Sequence, residues 1–301
     1  MREAVALARA CAPCLILTAW TERRRILLGA LAGLALAGMP SYAIAANHTV
    51  LYSFQGSTTD GADPKASLIE AKGTLYGTTA YGGAANDGTV FAVTLSNGAE
   101  QILHSFGDGS DDGTNPFSKV TRIGKVLYGT TARGGSHRGG TLFSIITKTG
   151  SEAILHAFAG SSDHGDGDGP VTGLTDVKGV LYGTTEAGGA NGDGTVFSFD
   201  YHSQTYSVIY SFCVGCANAG MAPEGDLLYS KDQLYGTTAG GDGTVYKIDL
   251  TIHNATRLYY FCKKSGCTDG EYPYSGLIFV NGNLYGTTAG GGPTVLARCS
   301  G

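Results

Sequence analysis

The sequence predicts an all-β chain made of repeated four-stranded sheets. Three observations carry that prediction. First, Leu-Tyr-Gly-Thr-Thr recurs, starting at Leu75, Leu127, Leu181, Leu234 and Leu284, at intervals of 52, 54, 53 and 50 residues. A period near fifty marks stacked units that cannot bury their apolar faces alone. Second, each period holds four short runs of alternating apolar and polar residues, rich in Thr, Val, Tyr and Phe, which read as strands rather than helices. Third, 48 glycines and only 15 % charged residues suit short strands joined by tight turns. A hydrophobic content of 42 % suffices for a core and excludes a disordered chain.

The first copy shows the elements in order. Residues 67–70 form the first run, 74–79 the second, 88–94 the third and 101–106 the fourth. Turn chemistry separates them: Lys72-Gly73, then Gly82-Gly83 through Asp87-Gly88, then Asn97-Gly98. Later copies keep the third run as Gly140-Thr-Leu-Phe143, Gly194-Thr-Val-Phe197 and Gly243-Thr-Val-Tyr246. They keep the fourth as Leu155-His-Ala-Phe158, Ile209-Tyr-Ser-Phe212 and Leu258-Tyr-Tyr-Phe261. A glycine inside the second strand (Gly77, Gly129, Gly183, Gly236, Gly286) weakens it and needs a reason. Close approach of backbones near a crowded ring axis is the expected one.

Four antiparallel strands per period make a propeller blade, so the expectation is a β-propeller of about five four-stranded blades. Residues 49–54 read as a fourth strand with no blade before it, and 294–297 as a third strand with no fourth after it. Pairing the N-terminal strand with the last blade closes the ring and removes two sheet edges. The alternative is a piece of a longer array, since 297–301 break from the pattern. The organisation expected is an export signal with an N-terminal extension over 1–46, then one domain of five ~52-residue repeats over 47–301.

The leader reading rests on Arg23, Arg24 and Arg25, an apolar run over 26–38, Pro40, and the small-residue site Ala43-Ile44-Ala45. Together these make a bacterial export signal, cleaved after Ala45 or Ala46, that leaves no transmembrane span in the mature chain. The product is expected in the periplasm, at the cell surface or secreted. The stretch 22–27 also loosely resembles a twin-arginine signal. Cys11, Cys14 and Trp20 lie in the extension. Beyond Arg25 no Lys/Arg-rich stretch occurs and the net charge is −5, which argues against a nucleic-acid partner.

Cys213/Cys216 and Cys262/Cys267 form two close pairs, each directly after a repeat phenylalanine. Two readings stand: local disulfide staples, favoured by export, or a four-thiolate metal site shared between blades. Cys299 has no neighbouring cysteine.

The pattern Leu-Tyr-Gly-Thr-Thr, paired glycines, Gly-Thr-Val-Phe and a Leu-x-x-Phe strand resembles the GloVer tandem repeat of exported bacterial proteins. The resemblance covers residues 47–297, with Gly292-Pro293-Thr294-Val295 departing from the motif. It implies a β-propeller with no established biochemical activity. Period and tyrosine-then-diglycine order are also similar to the kelch class.

A four-strand meander puts its second-to-third loops and its blade-to-blade loops on one face. Those are the long loops here, and long loops on a rigid scaffold are where binding sits. Candidate binding-face residues are Asp108, Asp111, Asp112, His137, His164, Asp193 and Asp242. The acidic run containing Asp163, Asp166 and Asp168 offers hard oxygen ligands for calcium, or else ordinary Asp-Gly turns. No other cofactor is expected. His104 and His156 share a repeat position with Tyr52, Tyr210 and Tyr259, which suits a half-buried strand site. The chain has no Gly-x-Ser-x-Gly elbow, no His-Glu-x-x-His and no phosphate loop, so no catalytic residues are assigned. The expectation is a non-catalytic module that binds a glycan or protein. The alternatives are a carbohydrate-active hydrolase or lyase with acids in a central funnel, and a structural surface module.

Overall fold

The computed structural model describes residues 5–7, 49–160, 165–213 and 220–292. Apart from 3-10 turns at Gly160 and Ser265–Cys267, the described residues are strands, turns and extended chain. No helix among them is long and apolar enough to cross a membrane.

The first period folds as an antiparallel meander of Ile69–Ala71, Thr74–Thr79, Thr89–Thr94 and Glu100–Ser105. The order repeats in Thr121–Ile123, Val126–Thr131, Thr141–Ile146 and Glu152–Ala157. The third sheet comprises Thr175–Val177, Val180–Thr185, Thr195–Asp200 and Thr205–Ser211. The fourth comprises Leu228–Ser230, Gln233–Thr238, Thr244–Asp249 and Asn254–Tyr260. The fifth period contributes Ile278–Val280 and Asn283–Gly286. The edge where a third strand lies in the other sheets is there paired, in parallel, with Val5–Leu7. The third strand expected at 294–297 lies outside the described residues, as do Cys299 and most of the leader.

Local chemistry explains the meander. Lys72-Gly73, Lys178-Gly179 and Asn281-Gly282 all adopt positive φ, the conformation of a tight turn whose twist matches the flanking strands. Third and fourth strands slip register at one place in every complete sheet, just before the third-strand aromatic: Val90/Phe91, Leu142/Phe143, Val196/Phe197 and Val245/Tyr246. Such a bulge re-aims the side chain that follows it.

That aromatic corrects the expected reason for the second-strand glycine. Gly129 faces Phe143 in register, and a Cβ on Gly129 would lie 2.5 Å from the Phe143 ring carbon Cζ. Phe91, Phe197 and Tyr246 lie over Gly77, Gly183 and Gly236 in the same way. What needs the missing side chain is a ring from the next strand, not a neighbouring backbone.

The core is a series of layers between successive sheets. Val90, Leu103 and Phe106 of the first sheet pack with Leu127, Phe143 and Ile145 of the second. Leu142 and Phe158 pack with Leu181, Phe197 and Phe199. Val196 and Phe212 pack with Leu234, Tyr246 and Ile248, and Val245 and Phe261 with Leu277 and Leu284. The first three interfaces each centre on a fourth-strand phenylalanine meeting the next sheet's third-strand ring edge-on. The centroids are 5.0 Å apart for Phe106–Phe143, 5.2 Å for Phe158–Phe197 and 5.0 Å for Phe212–Tyr246. Such pairs contribute about 0.5–1.5 kcal/mol each beyond area burial. Phe54 makes the same contact with Phe91 at 4.9 Å, although residues 49–54 form no ladder.

The paired threonines divide two tasks. The second joins strands within a sheet: Thr79–Thr89 at 2.8 Å, Thr131–Thr141 at 2.9 Å, Thr185–Thr195 at 2.8 Å and Thr238–Thr244 at 2.7 Å. The first reaches across to the next sheet, donating to the carbonyls of Ser118, Thr172, Pro223 and Ser275. All eight hydroxyls are satisfied, as buried polar groups require.

Candidate functional site

The two classes of long loop do share one face. Gly61–Ala62 pairs with Tyr81–Gly82, Gly113–Thr114 with Arg133–Gly134, and Gly167–Asp168 with Ala187–Gly188. In each ribbon a sheet-to-sheet segment meets a second-to-third segment of the sheet it leads into. The first glycine of each diglycine has positive φ, and a Cβ there would strike the facing backbone.

Loop aspartates tie these segments down. Asp60 accepts from the amides of Gln55 at 2.5 Å and Gly61 at 2.7 Å. Asp112 accepts from Gly107 at 2.7 Å and Gly113 at 2.6 Å. Asp166 accepts from Ala159 at 2.9 Å and Gly167 at 2.7 Å, and also meets His156 Nε2 at 2.9 Å and the Tyr206 hydroxyl at 2.6 Å. Burial alone would raise the Asp166 pKa. His156, Tyr206 and the two amides outweigh burial and hold it at about 2.

The sequence-selected residues are distributed as follows. Asp108, Asp111 and His137 are exposed, Asp112 is buried, and Asp193 and Asp242 are half-buried. The Asp108 amide donates to Asp112 at 3.3 Å, the Tyr260 hydroxyl donates to Asp242 at 2.8 Å, and His137 pairs with Ser136 at 2.9 Å. Asp168 lies half-buried in its ribbon, while Asp163 and His164 fall outside the described residues. Cys262 and Cys267 form a disulfide, as the staple reading expects. Cys213 is also disulfide-bonded, and Cys216 lies outside the described residues.

One cavity of about 330 Å³ collects side chains from every period: Lys65, Phe117, Val171, Glu224 and Tyr274 at equivalent positions, with Lys119 and Asp226 two residues further along theirs. It lies where the first strands begin. Lys119 pairs with Asp226 at 2.7 Å. Gly173 lies between them: its amide donates to Asp226 at 2.7 Å, and a Cβ on it would strike the Lys119 chain. Lys65 pairs with Asp63 at 3.0 Å and stands 5.2 Å from the Phe117 ring centre. Burial, then the charge of Glu186, raises the Glu224 pKa.

Sequence reasoning missed this cavity. The available signal was the residue directly after the proline of each period, at Pro64, Pro116, Pro170, Pro223 and Pro273. It changes from Lys to Phe, Val, Glu and Tyr while its surroundings repeat.

A family model described as the Gloeobacter/Verrucomicrobia repeat matches residues 41–176 and 159–296. The chain belongs to that family. No curated protein matches it. Among solved structures, a chain of the nidogen/laminin complex is similar at 15 % identity, with a TM-score of 0.48, over 76 % of this chain and 70 % of that one. The computationally designed Ika4 protein is similar at 16 % identity and 0.40, over 66 % and 98 %. TolB from Acinetobacter baumannii is similar at 13 % identity and 0.41, over 63 % and 41 %.

Proposed function

We propose that this member of the repeat family is an exported, non-catalytic β-propeller that binds a glycan or protein at its long-loop face. The observation that carries the reading is the cavity, where a repeated framework presents a different side chain from each period. Cation, anion and aromatic rings stand together there, a composition that suits hydrogen-bonded and stacked ligands. The disulfide of Cys262 and Cys267 supports an oxidising compartment.

The ring closes at five blades, with residues 49–54 beside 294–297. Three observations support closure. The cavity takes residues from both the first and the fifth period. Phe54 packs on Phe91 as a fourth-strand phenylalanine does at the other junctions. Leu68 is 48 % exposed, whereas Val120, Leu174, Leu227 and Leu277 at equivalent positions are at most 6 % exposed. Leu68 therefore awaits a neighbour. Cleavage of the leader removes Val5–Leu7 from the last sheet and frees its edge for 294–297.

A carbohydrate-active enzyme is the second reading, with one observation in its favour. Glu224 at the cavity and Glu186 from the neighbouring sheet are close enough for one charge to raise the other's pKa. A glycan array joined to a polysaccharide-turnover screen separates the readings. Binding without turnover is the expected outcome. Turnover abolished by Glu224→Gln replaces the module with an enzyme, and silence in both assays removes the glycan.

A further inference from the structure

The junction between the first and second sheets holds a group of side chains that differs from its counterpart at the next junction. At each of the two junctions a fourth-strand histidine, a loop aspartate and a residue of the following fourth strand converge. Between the second and third sheets these are His156, Asp166 and Tyr206. They satisfy one another: His156 and Tyr206 both bond the Asp166 carboxylate, and their rings stack at 3.6 Å. Between the first and second sheets they are His104, Asp112 and Glu152. The tyrosine has become a second carboxylate.

That replacement removes the donor that completed the set. His104 Nε2 stands 3.7 Å from Asp112 Oδ2 and 3.6 Å from Glu152 Oε2, beyond hydrogen-bond reach. His104 Nε2 and Glu152 Oε1 are sealed from solvent and have no hydrogen-bond partner. The side chains are 13 %, 5 % and 14 % exposed for His104, Asp112 and Glu152. An unpartnered buried polar atom destabilises the fold, and more so when charged. Asp112 keeps its loop amides through Gly107 and Gly113, so its position is fixed independently of the other two.

One nitrogen and carboxylate oxygens of two residues lie within 4.8 Å of one another, and the nitrogen stands 3.7 Å and 3.6 Å from the two carboxylates, near the edge length of a coordination polyhedron. Four ligands at about 2.0–2.2 Å from zinc stand roughly 3.4 Å apart. We propose that His104, Asp112 and Glu152 bind one divalent transition-metal ion, zinc being the reference, with a fourth position left to water. The ion bridges the first two sheets. It is distinct from the cavity and from the Asp163–Asp168 run.

The test is zinc calorimetry and cobalt absorption on the purified, chelator-treated protein. One equivalent should bind, and the cobalt spectrum should show a nitrogen–oxygen site. His104→Gln and Glu152→Gln should each weaken binding by more than the ~10–100-fold that outer-shell partners contribute. Glu152→Tyr rebuilds the satisfied set of the neighbouring junction and should keep the fold while losing the metal, so a folding defect in another variant leaves the test intact. His156→Gln should leave binding unchanged. Absence of binding in the parent overturns the site, as does binding that survives Glu152→Tyr.

Discussion

The hydroxyl of Tyr246 is fully buried, has no partner, and lies over Gly236 where the other complete sheets place a phenylalanine. Burial raises its pKa. Tyr246→Phe should therefore stabilise the protein by about 1 kcal/mol, read as a higher urea midpoint at unchanged slope. A lower midpoint would show that the hydroxyl has a use. Gly129→Ala tests the ring-over-glycine contact from the other side. Overpacking against Phe143 should cost about 1–3 kcal/mol, and Phe143→Leu in the same chain should recover part of it. Asp166 links stability to pH. Its folded pKa of about 2 lies below the ordinary 3.8, so its contribution is present above pH 3.8 and is lost as pH falls through about 2. Asp166→Asn should flatten the stability profile in that window, and an unchanged acid limb would refute the assignment. The sequence displayed every one of these residues. What it lacked was the partner: nothing in a one-dimensional pattern places Tyr206 against Asp166, forty residues away.

Strands and turns were the most legible elements. The second strand of the first copy, expected at 74–79, is Thr74–Thr79, and the third falls within one residue of its expected start. Both are bounded by positive-φ turns whose Gly, Asn and Lys residues announce themselves. The first strand was less legible. Expected at 67–70, it is Ile69–Ala71. The residues before each first strand serve the cavity or the preceding sheet instead: Lys119 and Asp226 line the cavity, and the Thr172 carbonyl accepts a bond from Thr130. Alternation cannot separate a strand residue from one diverted to its neighbour. Threonines doing the stitching between sheets give this scale its prediction. Thr184→Val leaves the Pro223 carbonyl without its hydroxyl donor and the Thr172 hydroxyl with only the Thr184 amide, and should cost about 1–2 kcal/mol. Hydrogen exchange should speed up at the third and fourth sheets together, because the bond joins them.

At the scale of the whole molecule, the count of periods was readable and the ligand was not. Repetition advertises a scaffold, since the same contacts must recur at each junction. Under the proposed binding role, specificity falls to what does not repeat: Lys65, Phe117, Glu224 and Tyr274 carry no motif and are unrelated until the cavity gathers them. The closed ring has a direct check. Cysteines placed along 49–54 and 294–297 should cross-link in at least one register in the mature protein. Failure in every register would mean an open arc.

Phe54, Phe106, Phe158 and Phe212 each pack forward, onto a ring in the sheet that follows in the chain. The contact therefore has a direction in time as well as in space. A chain leaving a ribosome or a translocation pore N-terminus first always has the older half of each interface in place before the younger half emerges. Phe54 is ready before Phe91, Phe106 before Phe143 and Phe158 before Phe197. Each new sheet can dock on arrival, with no need to wait for the sequence beyond it. In the closed ring proposed above, only the last seam closes backwards, on the first repeat segment to have emerged.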